Sequence, residues 1–426
     1  MNYTQNEKLA QITPETLIIG VDIAKNKHVA RAIDDRGFEF GKRINFTNDL
    51  EGFETFLRWA EDHQDNHQKT HMVVGMEPTG HYFLSLAYYL ESCGHHLVLV
   101  NPMHVKRLKE IDDHSPSKND TKDAMVIAKQ VKDGRYSHPN LLEGIYAELR
   151  EGIKLRDQLV QLKNQADGRV QNWLNRYFPE FEQVFKQWNG ESALATLRVF
   201  PLPQAIAGMT SEAIVDVWKA HTKRHAGFAR AQKLHEAAEK SVGITEGLRF
   251  AKQELDALLA QYDLYARQLE ELEAQLTDQL EHLPGAEQMR DIKGLGDMTI
   301  AAFFAEVGDI HQYRHPKQLI SLAGLDLKEN SSGVHKGQTT ISKRGRRRLR
   351  HILFLAIRPL VNHNDTFRAL HHELTQRSDR PLKKMQSLIA LCGKLLKVLF
   401  VMGQRGCAFD GAKLLQDRKR AQAQTT

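Results

Sequence analysis

At 426 residues, with 41% hydrophobic and 26% charged residues, the chain has the composition of an ordinary soluble globular protein and is long enough for two or three domains. Its formal charge of +6 is modest, yet between Lys336 and Arg350 seven Lys or Arg residues occur with no acid, which points to a polyanionic partner. Three scattered cysteines, Cys93, Cys392 and Cys407, show no metal-ligand spacing and fit a reducing compartment, not a disulfide scaffold.

The opening M-N-Y-T-Q-N-E-K-L-A lacks the apolar core of a signal peptide. Residues 16 to 46 read as three strands: T-L-I-I-G-V-D-I, H-V-A-R-A-I and F-E-F-G-K-R-I-N-F, with D-D-R-G at Asp34 to Gly37 as a hairpin turn. Asn48-Asp49 offers an N-cap to an amphipathic helix carrying Phe53, Phe56, Leu57 and Ala60. A strand to Glu77, a helix from about Gly80 to Cys93 and the strand H-L-V-L-V-N follow. The order βββαβαβα predicts a ribonuclease-H-like fold, a mixed sheet flanked by helices.

The middle differs. Leu149, Ile153, Leu159, Leu162, Ala166, Val170, Trp173 and Tyr177 keep mostly helical spacing. Leu255, Leu258, Tyr262, Tyr265, Leu269, Leu272 and Leu276 alternate steps of three and four, the seam of a coiled coil, which ends at Leu283-Pro284-Gly285. Two long helices, folded back or paired with another chain, bracket a Trp-, Phe- and Pro-rich segment from about Phe178 to Gly227 to which the sequence assigns no role. After Pro284, I-K-G-L-G-D-M-T-I-A-A-F-F-A-E-V matches a helix-hairpin-helix whose amides at Gly294 and Gly296 could hold a phosphate. A Gly-rich, Ser-containing loop, the basic stretch and apolar helices to about Met402 complete the chain. The apolar run from Ser387 to Met402 is interrupted by Lys394 and Lys397 and reads as a buried helix, so a cytoplasmic protein with no membrane contact is expected. The predicted regions are an α/β domain over 14–142, a coiled-coil region with a helical insert over 143–283, a helical domain over 284–405 and a disordered basic tail over 406–426.

Four acids carry the chemistry. Asp22 follows the first strand, Glu77 ends a second apolar run, and Asp120 and Asp123 lie three apart, on one face of a helix. Singly each is an ordinary turn or capping residue. Together they stand at strand ends and a helix start in the order a ribonuclease-H-like fold needs to gather carboxylates around Mg²⁺, with Mn²⁺ as a substitute. The serines of K-E-N-S-S-G-V-H-K-G-Q read, by composition, as an ordinary turn. Lys336, Lys343, Arg344, Arg346, Arg347, Arg348 and Arg350 read as phosphate contacts. There is no complete dinucleotide fingerprint, P-loop or zinc-protease motif, and the histidines read mostly as surface residues.

The set D-I-A-K-N-K-H, G-M-E-P-T-G-H-Y, N-D-T-K-D-A, I-K-G-L-G and S-S-G…I-S-K-R-G…L-R resembles the Asp-Glu-Asp-Asp transposases of bacterial insertion sequences, the IS-one-ten family, with the Piv invertases as relatives. The resemblance runs from about Thr16 to Met402. It implies a RuvC-like N-terminal domain, a coiled-coil middle and a C-terminal transposase domain. It implies metal-binding roles for Asp22, Glu77, Asp120 and Asp123, and a nucleophilic role for Ser332, with Ser331 as its neighbour. It further implies donor and target DNA, a structured bridge RNA as guide, a covalent phosphoserine intermediate, and a dimer of dimers sharing active sites between subunits. Arg346 departs from the family pattern, standing where Asn or Asp commonly follows K-x-G. The alternatives from the residues are a metal-dependent nuclease or junction resolvase, a site-specific invertase without RNA, a sugar kinase, which D-I-A-K-N argues against, and a non-catalytic nucleic-acid scaffold.

Overall fold

The computed structural model describes residues 5–78, 80–105, 120–223, 226–328, 331–332, 335–336, 340–378 and 380–416; of residues 120–122, 331–332 and 335–336 it describes the backbone only. The tail expected to be disordered over 406–426 is described to residue 416, and 411–416 form a helical turn with Phe409 stacked on Phe367, so its first half is ordered against expectation; 417–426 lie outside the described residues. The chain forms two compact units, Met1–Glu143 with Gly308–Leu322, and Gly144–Val307 with Ala323–Thr426.

The first unit is built on a six-stranded sheet in the order β3-β2-β1-β4-β5-β6. Strand β1 (Thr16–Asp22) pairs in parallel with β4 (His71–Met76), which pairs in parallel with β5 (His96–Val100). Strands β2 (Lys27–Ile33) and β3 (Glu39–Thr47) add antiparallel on one side, and β6 (Tyr136–Ser137) on the other. The core strand β1 is apolar without alternation because both its faces are covered. Leu17, Ile19 and Val21 pack with Phe53 and Phe56 of α2 (Leu50–Asn66) and Leu86 and Leu90 of α3 (Phe83–Ser92). Ile18 faces the other way, into a cluster with Ile127 and Val131 of α4 (Asp120–Lys132). The predicted cap holds: the Asp49 carboxylate accepts from the Gly52 amide at 2.8 Å and starts α2. The predicted turn also holds, with the Asp34 carboxylate accepting the Arg36 and Phe38 amides at 3.0 and 2.7 Å and Gly37 at φ +96°.

A histidine pair lies near the amino ends of β4 and β5. His96 Nε2 and His138 Nδ1 are 3.3 Å apart with nearly parallel rings. Burial, then the neighbouring His96 and the Lys8 ammonium, push His138 down to about 4. The folded chain therefore holds this ring neutral where the unfolded chain, with its usual value of 6.5, takes up a proton. The stability contributed is full above that usual value and is lost as pH falls toward the folded one. The thermal midpoint should be lower at about pH 5 than at about pH 7, and the gap should narrow in His138→Asn. An identical pH dependence in both proteins would reject this assignment.

The second unit begins with a pair of 34-residue helices, α5 (Gly144–Tyr177) and α11 (Leu248–Glu281), each about 51 Å long by helical rise. They fold back on each other within one chain. Arg156 meets Glu273 at 2.6 Å, Arg176 meets Glu254 at 2.9 Å, and Trp173 Nε1 donates to the Ala251 carbonyl at 2.7 Å, so the helices run antiparallel. Between them lie α6 (Phe181–Val184), α7 (Glu191–Val199), α8 (Pro203–Ala207), α9 (Ser211–His221) and α10 (Phe228–Glu239). The aromatics of this insert are its core: Trp173, Phe178, Phe181, Phe185, Trp188 and Trp218 pack in one cluster. The indole of Trp218 is satisfied by Thr196 Oγ1 at 2.9 Å, which itself donates to the Ser192 carbonyl at 2.7 Å.

The chain then forms α12 (Ala286–Arg290) and α13 (Asp297–Val307); α14 (Pro316–Ala323) falls almost wholly in the first unit. Short paired strands β7 (Leu327–Lys328) and β10 (Thr340–Ile341) form the stem of a hairpin that carries β8 (Ser331–Ser332) and β9 (His335–Lys336). Helices α15 (Arg347–His363), α16 (Asp365–Gln376) and α17 (Lys384–Arg405) complete the unit. By length and composition α17 could cross a membrane, but it buries Leu391, Leu395, Leu396 and Leu399 and packs against α15 and α16.

Candidate active site

Strand register decides which acids meet. Val21 pairs with Met76, so Asp22 and Glu77 are the next residues out along two adjacent parallel strands. Alternation places Asp22 on the face of Ile18 and Gly20, and Glu77 on the face of Val73 and Gly75, the face that α4 covers. Gly20 is the contact point. A Cβ there would overlap the carbonyl oxygen of Ala124 and stand 2.5 Å from Ala128 N. Only glycine lets the helix backbone approach so closely. Asp123 is the residue before that contact, and Asp22 lies two residues beyond it. Asp22, Glu77 and Asp123 are each half-buried.

The structure thus brings three predicted acids to the carboxyl end of the central strands, where ligands bind in open α/β sheets. Asp120 opens α4 one turn before Asp123, but its side chain lies outside the described residues. Among the described residues, no three His, Cys, Asp or Glu side chains stand close enough to hold an ion. The donor chemistry is nonetheless that of a hard divalent cation: carboxylates only, with no thiol or imidazole among the four positions.

The sequence reads most histidines as surface residues, and His28 is an exception. His28 sits on the inward alternation of β2 with Ala30 and Ala32 and is 0% exposed. Its Nδ1 accepts from the Ala24 amide at 3.3 Å, bracing the loop that follows Asp22. Burial lowers its pKa, an effect the Asn48 side chain partly offsets. The alternation H-V-A-R-A was the available signal.

A cavity of about 860 Å³ opens beside Pro78, the residue after Glu77, lined also by Lys8, Asn101, His104, Arg135 and Tyr136 and, among the described residues, by no carboxylate. The Lys8 ammonium donates to the Tyr136 carbonyl and lies 5.3 Å from the centre of the Tyr136 ring. Lys8 and Arg135 went unremarked in the sequence because neither belongs to a basic run.

In the second unit, the predicted nucleophile Ser332 and its neighbour Ser331 fall on β8, with Lys336 on β9; their side chains lie outside the described residues. Ser331 pairs with Lys336 and Ser332 with His335. The remaining basic run divides in two. Lys343, Arg344 and Arg347 are exposed. Arg348 is paired with Asp157 at 2.7 Å, Arg346 donates to the Glu306 carbonyl, and Arg350 donates to the Ala323 carbonyl at 2.8 Å. The second set is engaged within the protein, contrary to the reading of the whole run as phosphate contacts.

The Gly-Leu-Gly turn joins α12 to α13. Gly294 adopts φ +98° and packs over Leu360 and Pro359 of α15. Gly296 borders a groove lined by Glu273, Asp278, Glu281 and Asp297. Two of these carboxylates are themselves paired, Glu273 with Arg156 at 2.6 Å and Asp297 with Arg290 at 2.9 Å. What the turn does is seat α13 against α15.

Two family models match this chain: one for the DEDD transposase of IS110 over residues 19–179, and one for the transposase IS116/IS110/IS902 family over residues 286–372, together more than half its length. The mini-circle putative transposase for IS117 of Streptomyces coelicolor is 25% identical over 75% of this chain and 78% of its own. The pilin gene-inverting protein of Moraxella bovis is 23% identical over 92% of this chain and 97% of its own. A transposase for insertion sequence element IS1111A of Coxiella burnetii is 25% identical over 62% and 59%. With the two family models matched over most of the N-terminal region and much of the C-terminal region, the protein belongs to the IS110 family of insertion-sequence transposases, enzymes that cut and rejoin DNA.

Proposed function

We propose that this transposase exchanges DNA strands through a covalent phosphoserine intermediate at Ser332, supported by a divalent metal at Asp22, Glu77, Asp120 and Asp123 and guided by a structured bridge RNA. What supports the metal reading is the placement of Asp22 and Glu77 at the ends of adjacent parallel strands, with Asp123 one residue from the close contact of α4 with Gly20. Mg²⁺, when bound, supplies Lewis-acid stabilisation of charge on the scissile phosphate.

The protein's own groups do the rest. The Ser332 hydroxyl attacks phosphorus, a new Oγ–P bond forms, the bond to the leaving sugar oxygen breaks, and the serine proton ends on that oxygen. Reversal on a different strand reseals the backbone with no energy source beyond the original phosphodiester. Lys343, Arg344 and Arg347 neutralise backbone phosphates outside the reacting centre. The cations beside Pro78 do the same next to the acids. Because the acids and the serine hairpin belong to different compact units, the family's dimer of dimers, with each centre assembled from two subunits, is the arrangement we favour.

The test is trapping of the adduct. Purified protein, RNA and end-labelled DNA in Mg²⁺ should give a protein–DNA adduct that is stable in denaturant, absent in Ser332→Ala and retained in Ser331→Ala. An adduct persisting in Ser332→Ala would remove this nucleophile. Cleavage undiminished when both serines are changed would establish instead a metal-dependent nuclease.

A further inference from the structure

We propose that Glu306 is a positioning residue for the turn joining the serine hairpin to α15, and that its charge withholds Arg346 and Arg348 from nucleic acid. The activity arm of this proposal rests on the reading of Ser332 above; the binding arm does not.

Glu306 is out of place in its helix. Every residue of α13 from Ile300 to Val307 is buried, and Glu306 itself is only 8% exposed. A carboxylate in such surroundings is strongly unfavourable unless opposite charge accompanies it. Two members of the basic run supply that charge. Arg348 Nη1 lies 3.6 Å from Glu306 Oε1, and Arg346 Nη1 lies 3.9 Å from Oε2 while donating to the Glu306 carbonyl. Arg348 also reaches Asp157 of α5 at 2.7 Å, and Arg150 of α5 donates to the preceding carbonyl, Ala305, at 3.0 Å. Two carboxylates thus balance Arg346 and Arg348, and neither guanidinium is more than about a quarter exposed (27% and 26%).

The clamp sits at the end of a tightly specified path. Leaving β10, the Ser342 amide donates to the Asp326 carbonyl at 2.7 Å and the Lys343 amide to the Gly324 carbonyl at 3.0 Å. Lys343 at φ +55° and Gly345 at φ +152° turn the chain through backbone conformations that L residues rarely adopt. A Cβ at Gly324 would stand 3.0 Å from the Arg344 carbonyl and 2.9 Å from Arg350 Nη1, so the turn has no slack on that side. Arg346 is the next anchor and the N-cap residue of α15. Its hold on Glu306 therefore fixes where the hairpin stem is presented. Lys343, Arg344 and Arg347 are left exposed to meet phosphate.

Two readouts in the full-length protein separate this role from a merely structural one. The first is affinity for a fluorescent DNA duplex in EDTA across a salt series; the second is strand exchange in Mg²⁺. Glu306→Gln should bind duplex about threefold more tightly, with a salt slope steeper by up to about one, because the buried charge offsetting Arg346 and Arg348 is lost while Arg348 keeps Asp157 and Arg346 keeps the carbonyl of residue 306. It should exchange strands about tenfold more slowly, because Arg346 then holds the turn through the carbonyl of residue 306 alone, without the carboxylate. Glu306→Asp should restore the parent salt slope. Arg344→Gln with Arg347→Gln should bind more weakly with a shallower slope. Parent affinity and slope in Glu306→Gln would overturn the proposal, as would parent exchange rates. Should Glu306→Gln not fold, Arg346→Gln with Arg348→Gln decides: parent affinity with lost exchange supports it, a shallower salt slope overturns it. Failure of the serine reading would show separately, as adduct in Ser332→Ala, and would leave the salt slopes untouched.

Discussion

Asp22→Asn should lower strand exchange by about a thousandfold or more while leaving the thermal midpoint and DNA affinity in EDTA close to those of the parent. Asparagine keeps the size of the side chain and one acceptor oxygen, so the half-buried position at the end of β1 need not repack. What it removes is the negative charge that a divalent cation needs from a carboxylate ligand. Glu77→Gln should behave alike, since Glu77 is the adjacent residue on the neighbouring parallel strand. The double variant should lose little more than either single one, because two ligands of one ion act as a unit and their effects do not add. Exchange in Asp22→Asn at more than about a tenth of the parent rate would count against a metal role for this group. Additive losses in the double variant would mean that Asp22 and Glu77 work separately.

Much of the first unit was legible because its signals are local and periodic. The run T-L-I-I-G-V-D-I could only be a strand buried on both faces, D-D-R-G a turn and Asp49 a cap, and each stands where the residues indicate. The positions of Asp22 and Glu77 at strand ends were legible for the same reason, since a strand end is fixed once the strand is. Elements held by tertiary contact alone were not. The six-residue helix Gln5–Ala10 is anchored by Lys8 on Tyr136, and β6 is two residues long; neither carries a period. The insert around Trp218 hides its order because its aromatics come from short helices whose phases restart at every turn. Charge partition was the least visible. Nothing in S-K-R-G-R-R-R-L-R distinguishes exposed Arg347 from engaged Arg346 and Arg348, because the partners Glu306 and Asp157 lie far away in the chain. A lone Glu inside A-A-F-F-A-E-V was the one available hint. The surroundings of the Gly-Leu-Gly turn were hidden similarly, because the carboxylates that border it come mainly from α11.

Gly20→Val should abolish exchange as completely as loss of an acid, by a different route, and should also lower the thermal midpoint by several degrees, as overpacking at a cost of about 1–3 kcal/mol implies. The atoms a new Cβ meets, the Ala124 carbonyl oxygen and Ala128 N, are helix backbone and cannot rotate away. The helix must move instead, carrying Asp123 and the start of α4 away from Asp22 and Glu77. Gly75→Ala provides the contrast: its added Cβ meets chiefly the Val131 Cγ2 methyl, the end of a side chain that can give way, so activity should fall only in part. Gly296→Ala, where nothing lies within 4 Å of the new atom, should be silent. Ala128→Gly should not rescue Gly20→Val, since it clears a side-chain contact at 3.0 Å and leaves the backbone overlap in place. Strand-exchange rates beside thermal melts for these four proteins test the ordering. Full activity in a folded Gly20→Val protein would show that the acids meet without the close approach of α4, and would detach Asp123 from the centre.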